Sequence, residues 1–384
     1  MPTNGTTKWR GFALLACLSS LAFGQPGAQP AAQPVTQPVT QPQATDIGSA
    51  DGARIAYPIP AGAERPTLRF VTGRMSDGQL AELAEAAPNV EFVFAASGEE
   101  AMRLAPTAHA IDGRFATPEL IAAAPNLVWV LSNSAGVDQY LDNRALMETD
   151  RIVLTNMRAV HGPAIADHAM AMLLTLTRNM PAHLRNQRDH RWGSPDARTG
   201  IALQGRTMFV VGLGGIGTEI AQRAHGFGMR VIGSRRSDKP NPDFIERVGK
   251  PEDLLSMLPE ADVVAVAVPL TPETEGMFDE RAFGAMKEGA YLINIARGPI
   301  VETDALLAAL ESGQLAGACL DVTDPEPLPA DSPLWDRPDV VITPHSASVA
   351  ELTNERRWVL FKENIRRFGA GEPLLNTVDK AAGY

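Results

Sequence analysis

The sequence predicts an α/β protein made of two open, parallel-sheet domains, and two observations predict it. From about Pro66, short β-branched or apolar runs alternate with helical stretches, which is the signature of parallel strands joined by crossover helices. A chain of 384 residues, 45% apolar and 21% charged, can also bury a large core and suggests two or three domains.

The first set of strands comprises Leu68 to Thr72, Val90 to Ala95, Ala108 to Asp112, Leu127 to Ser132 and Ile152 to Thr155, with helical patterns such as Gln79 to Ala87 between them. A long apolar helix follows, Ile165 to Thr177, and then a charged, poorly periodic segment from Arg185 to Arg198 that reads as an exposed arm. The second set opens with a strand from Arg206 to Val211, an amphipathic helix through about Phe227 and a strand from Met229 to Gly233. It continues with strands Asp262 to Val268, Tyr291 to Ile295, Gly317 to Leu320 and Val340 to Thr343.

The N-terminus reads differently. Lys8 and Arg10 precede an apolar run from Gly11 to Phe23, with Ala22 and Gly24 at a plausible cleavage position, so residues 1–24 have the three-part form of an export signal. The run is too short to span a bilayer comfortably, so no integral membrane span is expected in the mature chain. Lipid attachment at Cys17 is a weaker variant. Residues 25–65 read as a Gln/Pro-rich linker: the repeated Gln-Pro units from Gln29-Pro30 to Gln41-Pro42 offer little apolar surface, and their prolines forbid a regular helix.

Composition excludes some functions. Lys plus Arg total 34 against 45 for Asp plus Glu, a net charge of −11 that disfavours a nucleic-acid partner. Cys17 and Cys319 are too few for a disulfide framework or a thiolate zinc site, and no metal is expected.

Between the first strand of the second set and its helix stands Gly212-Leu213-Gly214-Gly215-Ile216-Gly217. In this setting the first glycine permits the tight turn, the second lets a pyrophosphate approach the backbone and the third lets helix and strand pack closely. The helix N-terminus adds unpaired N–H groups and positive dipole, so the loop is expected to bind a dinucleotide. An acidic residue about 20 positions further on would receive the ribose hydroxyls of NAD. The chain has Ser234-Arg235-Arg236 there, which suits the 2′-phosphate of NADP, since charge-assisted contacts contribute about 1.5–3 kcal/mol each. NADP is therefore the preferred cofactor, with NAD the alternative.

Strand ends in open α/β sheets bind ligands. In this set they carry Pro269, Ala296-Arg297-Gly298, Asp321 followed by Asp324-Pro325-Glu326-Pro327-Leu328, and Pro344-His345. An arginine fork there can clamp a carboxylate and polarise the carbonyl beside it.

With these stretches in this order, residues 66 to about 375 resemble the D-isomer-specific 2-hydroxyacid dehydrogenase family, most nearly its glyoxylate and hydroxypyruvate reductases. The stretches Ser134-Ala135-Gly136-Val137-Asp138 and Pro269-Leu270-Thr271-Pro272-Glu273-Thr274 also match. The resemblance implies two Rossmann-like or flavodoxin-like open parallel-sheet domains, with the cofactor domain inserted into the substrate domain. By that topology residues 66–160 begin the substrate domain, 161–345 bind NAD(P), and 346–384 supply a C-terminal helix, about Val349 to Phe368, that returns to the substrate domain.

The resemblance also implies roles. His345 is the general acid/base, Glu326 the carboxylate that raises its proton affinity, and Arg297 the group that binds the substrate carboxylate. Ala135, Gly136 and Ser348 fall on substrate-side positions. Gly212, Gly214, Gly215, Ile216, Gly217, Ser234, Arg235, Arg236, Pro269, Thr274, Ala296 and Asp321 fall on the cofactor side. Thr323 stands where the family often has an aromatic residue, and His168 reads as a helix-packing residue.

The implied activity is NAD(P)H-dependent reduction of a small 2-oxo acid to the D-2-hydroxy acid, in a homodimer. Two other readings stand beside it: a non-enzymatic dinucleotide-sensing scaffold, and a relative acting on formate or phosphite, against which Glu326 counts. The resemblance implies a cytoplasmic enzyme, whereas the N-terminal segment points to export.

Overall fold

The structure, a computed structural model, describes residue 43 and residues 48–50, 52–60, 62–193 and 200–383. The export-signal reading, the Gln-Pro units through Pro42 and the last part of the Arg185 to Arg198 arm lie outside the described residues.

Five parallel strands form the first sheet: β1 (Leu68–Thr72), β2 (Val90–Phe94), β3 (Ala110–Asp112), β4 (Trp129–Leu131) and β5 (Val153–Thr155), in the order β2-β1-β3-β4-β5. Seven form the second: β6 (Thr207–Val211), β7 (Arg230–Ser234), β8 (Arg247–Gly249), β9 (Val263–Val266), β10 (Ala290–Asn294), β11 (Leu315–Leu320) and β12 (Val340–Ile342), in the order β12-β11-β10-β9-β6-β7-β8. Helices cover both faces of a parallel sheet, so its central strands are apolar without alternation. β6 (Thr-Met-Phe-Val-Val) and β9 (Val-Val-Ala-Val) are accordingly buried at every position.

Strand order in the second sheet reverses between β6 and β9, and the glycine loop follows β6 directly. Loops at such a switch point diverge to opposite sides and leave a crevice at the strand ends, the usual ligand position.

Local sequence chemistry sets the helices. Helix α1 (Asp77–Ala86) starts in a reciprocal cap, in which the Ser76 hydroxyl accepts the Gln79 N–H and Gln79 Oε1 accepts the Ser76 N–H. Helix α2 (Gly162–Thr177) starts with Pro163 in its first turn and buries Ile165, Ala166, Ala169, Met170 and Leu173 against Met208, Val210, Ile220 and Ala221. Two of those partners, Ile220 and Ala221, lie on helix α4 (Gly215–Gly226). The last long helix, α5 (Glu351–Ala370), crosses back to the first sheet, where Leu360, Phe361, Ile365 and Phe368 join a core around Phe70 and Trp129. Ring centroids there are 5.8 Å apart for Phe70 and Phe361 and 5.1 Å for Trp129 and Phe368.

One reading is corrected, and two elements are added that the sequence did not predict. The segment from Arg185 begins inside a helix, α3 (Met180–Arg188); its helical residues from Arg185 to Arg188 are Arg-Asn-Gln-Arg and none of the helix is buried, so that stretch shows no apolar periodicity. Part of the 25–65 linker is docked. Ser49 and Asn376 exchange hydrogen bonds of 2.7 and 2.8 Å, Ile55 pairs with Pro373 in an antiparallel bridge, and Ala56 is buried beside Leu374 and Leu375. Finally, the short polar edge strand β8 was not expected from the sequence.

Candidate functional site

The glycine loop is pinned at its base: the N–H groups of Gly212 and Leu213 donate to the Ser234 carbonyl at 3.1 and 2.9 Å, so the loop after β6 hangs from the end of β7. Gly212 has φ +101°, and a Cβ there would meet the Ala267 oxygen at 2.7 Å; at Gly217 a Cβ would collide with the Gly212 carbonyl. Only glycine meets both demands. Helix α4 then begins at Gly215 with no side-chain cap, leaving first-turn N–H groups for a ligand, and the space beside Gly214 is open. These features fit a bound pyrophosphate.

At the end of β7, Ser234 is buried, and Arg235 turns back so that Nη2 donates to Asn241 Oδ1 at 2.6 Å. Its Nε is buried and makes no hydrogen bond among the described residues. The Arg236 carbonyl accepts Lys250 Nζ at 3.1 Å, so a further cation stands at the same strand end. Opposite, the Pro269 to Thr274 turn is closed by the Thr274 hydroxyl, which donates to the Pro269 carbonyl at 2.6 Å and accepts the Thr271 N–H at 2.8 Å.

His345 and Glu326 meet: His345 Nδ1 lies 2.9 Å from Glu326 Oε2, with both side chains part-exposed. A carboxylate only accepts, so Nδ1 donates and Nε2 is the ring nitrogen left over. Glu326 is steadied through its other oxygen, Oε1, which accepts the Thr323 N–H at 3.2 Å.

Arg297 lies on the loop after β10. Buried Asn294 brackets that loop, accepting the Ala296 N–H at 3.1 Å and donating to the Arg297 carbonyl at 3.0 Å. The guanidinium donates through Nη1 to the Ala296 carbonyl at 2.7 Å and through Nε and Nη2 to Asp138 Oδ1. It packs directly on Gly136, where a Cβ would collide with Nη2. The Ser134 to Asp138 loop and the arginine are therefore in contact, and the carbonyls of Ser134 and Ala135 are tied to Met157 N–H (2.9 Å) and Asn156 Nδ2 (2.8 Å).

The two pairs belong to one region, because Gly298 packs against the Thr323 carbonyl and Asp324 N–H, which bring Glu326 into place. Ser348 follows in the turn after His345 and is half-buried.

Four residues gain a place here that the sequence did not assign. Asp138, within the matched Ser134 to Asp138 stretch, pairs with Arg297, and Asn294 brackets the arginine loop. Thr343 donates to Asp321 Oδ1 at 2.6 Å, and His168 is more than a packing residue, with Nε2 2.9 Å from the Thr343 hydroxyl. Thr343 stands two residues before His345, which was the available signal; His168 had none beyond its side-chain type.

A family model described as D-isomer specific 2-hydroxyacid dehydrogenase, NAD binding domain, matches residues 170–347. Among curated proteins the chain is similar to a glyoxylate reductase of Korarchaeum cryptofilum, 37% identical over 268 residues that span 68% of this chain and 79% of that one. Among solved structures it is similar to a D-isomer specific 2-hydroxyacid dehydrogenase of Xanthobacter autotrophicus in complex with NADPH and MES, at 32% identity and a TM-score of 0.67, covering 83% of this chain and 100% of that one. An NADPH-dependent glyoxylate/hydroxypyruvate reductase of Sinorhizobium meliloti in complex with NADP and sulfate is 28% identical, with a TM-score of 0.69 and coverage of 83% and 100%.

Proposed function

The chain belongs to the D-isomer specific 2-hydroxyacid dehydrogenase family and is an NAD(P)-dependent oxidoreductase; from that premise we propose that it reduces glyoxylate, hydroxypyruvate or a similar small 2-oxo acid to the D-2-hydroxy acid, with NADPH preferred. The observation that carries this reading is the His345–Glu326 hydrogen bond at the strand ends of the dinucleotide-binding sheet.

When bound, the reduced nicotinamide supplies the hydride. Arg297, packed on Gly136, holds the substrate carboxylate together with the backbone N–H groups of Ala135 and Gly136, which orients the carbonyl. His345 gives the proton that the carbonyl oxygen must gain, through Nε2, because Nδ1 is engaged by Glu326. The Glu326 charge offsets the charge the imidazole carries before it gives up that proton, and Arg297 stabilises negative charge growing on the oxygen. Ser348, following in the same turn, is the remaining substrate-side residue.

Gly212 to Gly217 and the first turn of α4 would hold the pyrophosphate. Ser234, Arg235 and Arg236 would hold the adenosine end, and Pro269, Thr274, Ala296 and Asp321 would line the nicotinamide side. Ser234-Arg235-Arg236 at the end of β7, with no carboxylate in the stretch, supports the NADP preference. We also propose a homodimer, to which α3 and the chain after it contribute the exposed Met180, Leu184 and Trp192.

The test is to mix the purified chain with NADPH or NADH and glyoxylate, hydroxypyruvate or pyruvate and follow loss of the reduced nicotinamide absorbance. Turnover of one of these acids, faster with NADPH, is expected. No turnover of any 2-oxo acid overturns the reading.

A further inference from the structure

His345 sits at φ +52°, a left-handed backbone position that a residue with a Cβ holds only when its surroundings enforce it. Asp321 does the enforcing. Its carbonyl accepts the His345 N–H at 2.8 Å, and its carboxylate accepts the Ser346 N–H at 2.9 Å, the Ala347 N–H at 3.1 Å and the Thr343 hydroxyl at 2.6 Å. Every residue from Thr343 to Ala347 except Pro344, which has no N–H to give, is thus bonded to this one buried aspartate.

Behind the clamp stands His168 of α2, with Nε2 2.9 Å from Thr343 Oγ1 and 3.8 Å from Asp321 Oδ1. Thr343 has one hydroxyl proton. With that proton on Asp321, its oxygen accepts, and His168 Nε2 must be the donor. The bonds then run in one direction, from His168 Nε2–H to Thr343 Oγ1–H to Asp321 Oδ1. Among the described residues the hydroxyl's other acceptors are the thioether of Met172, 3.8 Å away, and His168 Nε2 in its other tautomer; both are neutral and weaker than the Asp321 carboxylate at 2.6 Å.

We propose that His168 is a positioning residue for the reaction: by donating to Thr343 it holds the hydroxyl on Asp321, and so holds the turn that presents His345. The inference rests on the reductase reading of His345. Through it α2, whose first residue packs against the glycine loop at Gly215, links the dinucleotide loop to the proton donor.

The test compares His168→Leu, which has no donor, with His168→Gln, whose side-chain N–H can replace Nε2–H, and Thr343→Val with Thr343→Ser, all in the full chain. Each is assayed for kcat and KM with NADPH and glyoxylate, for NADPH binding by fluorescence, and for amide hydrogen exchange at residues 345–347. For His168→Leu the expected result is a fall in kcat of about tenfold with NADPH affinity within about twofold of the parent, and exchange at Ser346 and Ala347 faster by about tenfold. His168→Gln and Thr343→Ser recover most of both, and His168→Leu combined with Thr343→Val is no worse than Thr343→Val alone.

Parental kcat and exchange in His168→Leu, additive losses in the double variant, or His168→Gln as impaired as His168→Leu would each overturn the proposal. If the parent chain reduces no 2-oxo acid, the reductase reading has failed. The exchange comparison still decides whether His168 holds the turn.

Discussion

Arg297 spends two of its nitrogens on a single oxygen: Nε and Nη2 donate to Asp138 Oδ1 at 3.2 and 3.0 Å, tying the loop after β10 of the second sheet to the loop after β4 of the first. Both side chains are part-exposed, 26% and 38%, so the pair contributes little to stability, about 0–1 kcal/mol. Its consequence is orientation of the fork. Asp138→Ala should lower kcat/KM for glyoxylate by about tenfold while moving the melting temperature by only a few degrees. Asp138→Asn, which keeps an acceptor, should fall between; a large loss of stability with an unchanged KM would show that the pair is structural.

His345 and Glu326 are expected to separate by magnitude. A positioned general acid contributes about 10²–10⁴ in rate, so His345→Asn should lose roughly that much kcat while still binding NADPH. Glu326→Gln keeps size and loses charge, and Glu326→Ala loses both. Losses should grow in that order and stay smaller than that of His345→Asn. Steady-state kinetics with cofactor titration decide this, and an active His345→Asn protein would remove the histidine from the chemistry.

The cofactor prediction concerns Arg235. One charge-assisted phosphate contact contributes about 1.5–3 kcal/mol, so Arg235→Asp should weaken NADPH binding by at least about tenfold and leave NADH binding equal or improved. Dissociation constants for both dinucleotides check it. Unchanged NADPH affinity would place the 2′-phosphate elsewhere.

His161, at the start of α2, carries the acid-stability prediction. Its Nε2 accepts hydrogen bonds from Arg357, and burial, with the nearby Arg357 and Arg356 charges, lowers its pKa from 6.5 to about 4. The folded value lies below the unfolded one, so the unfolded chain binds the extra proton first. The contribution is whole above about pH 6.5 and is lost as pH falls towards 4, at most about 3 kcal/mol. His161→Gln, neutral and able to offer an acceptor to Arg357, should flatten that part of the profile. Urea midpoints at intervals from pH 7.5 to 4 measure it, and parallel curves for parent and variant would contradict it.

Much of the architecture was legible because it is written in short-range pattern. The strand expected within Arg206–Val211 is buried at every position because both sheet faces are covered, and those expected at Leu68–Thr72 and Tyr291–Ile295 lie at Leu68–Thr72 and, one residue earlier, at Ala290–Asn294. Where burial is absent the pattern fails: α3 buries nothing and the edge strand β8 is short and polar, so neither is marked by a buried apolar run. The glycine loop was readable for a related reason, since a turn at φ +101° leaves glycine as its requirement in the sequence.

By itself the sequence determined the two-sheet α/β class, the glycine loop between strand and helix and the order of Arg297, Glu326 and His345 along the chain, because hydrophobic periodicity and backbone demands act over a few residues. Only the tertiary structure decided who meets whom. Asp138 reaches Arg297 across 159 positions, His168 reaches Thr343 across 175, and Ser49 reaches Asn376 across 327. Such contacts depend on how strand order and the returning helix bring distant loops together, and a hydrogen bond between residues that far apart imposes no spacing that a linear reading could detect.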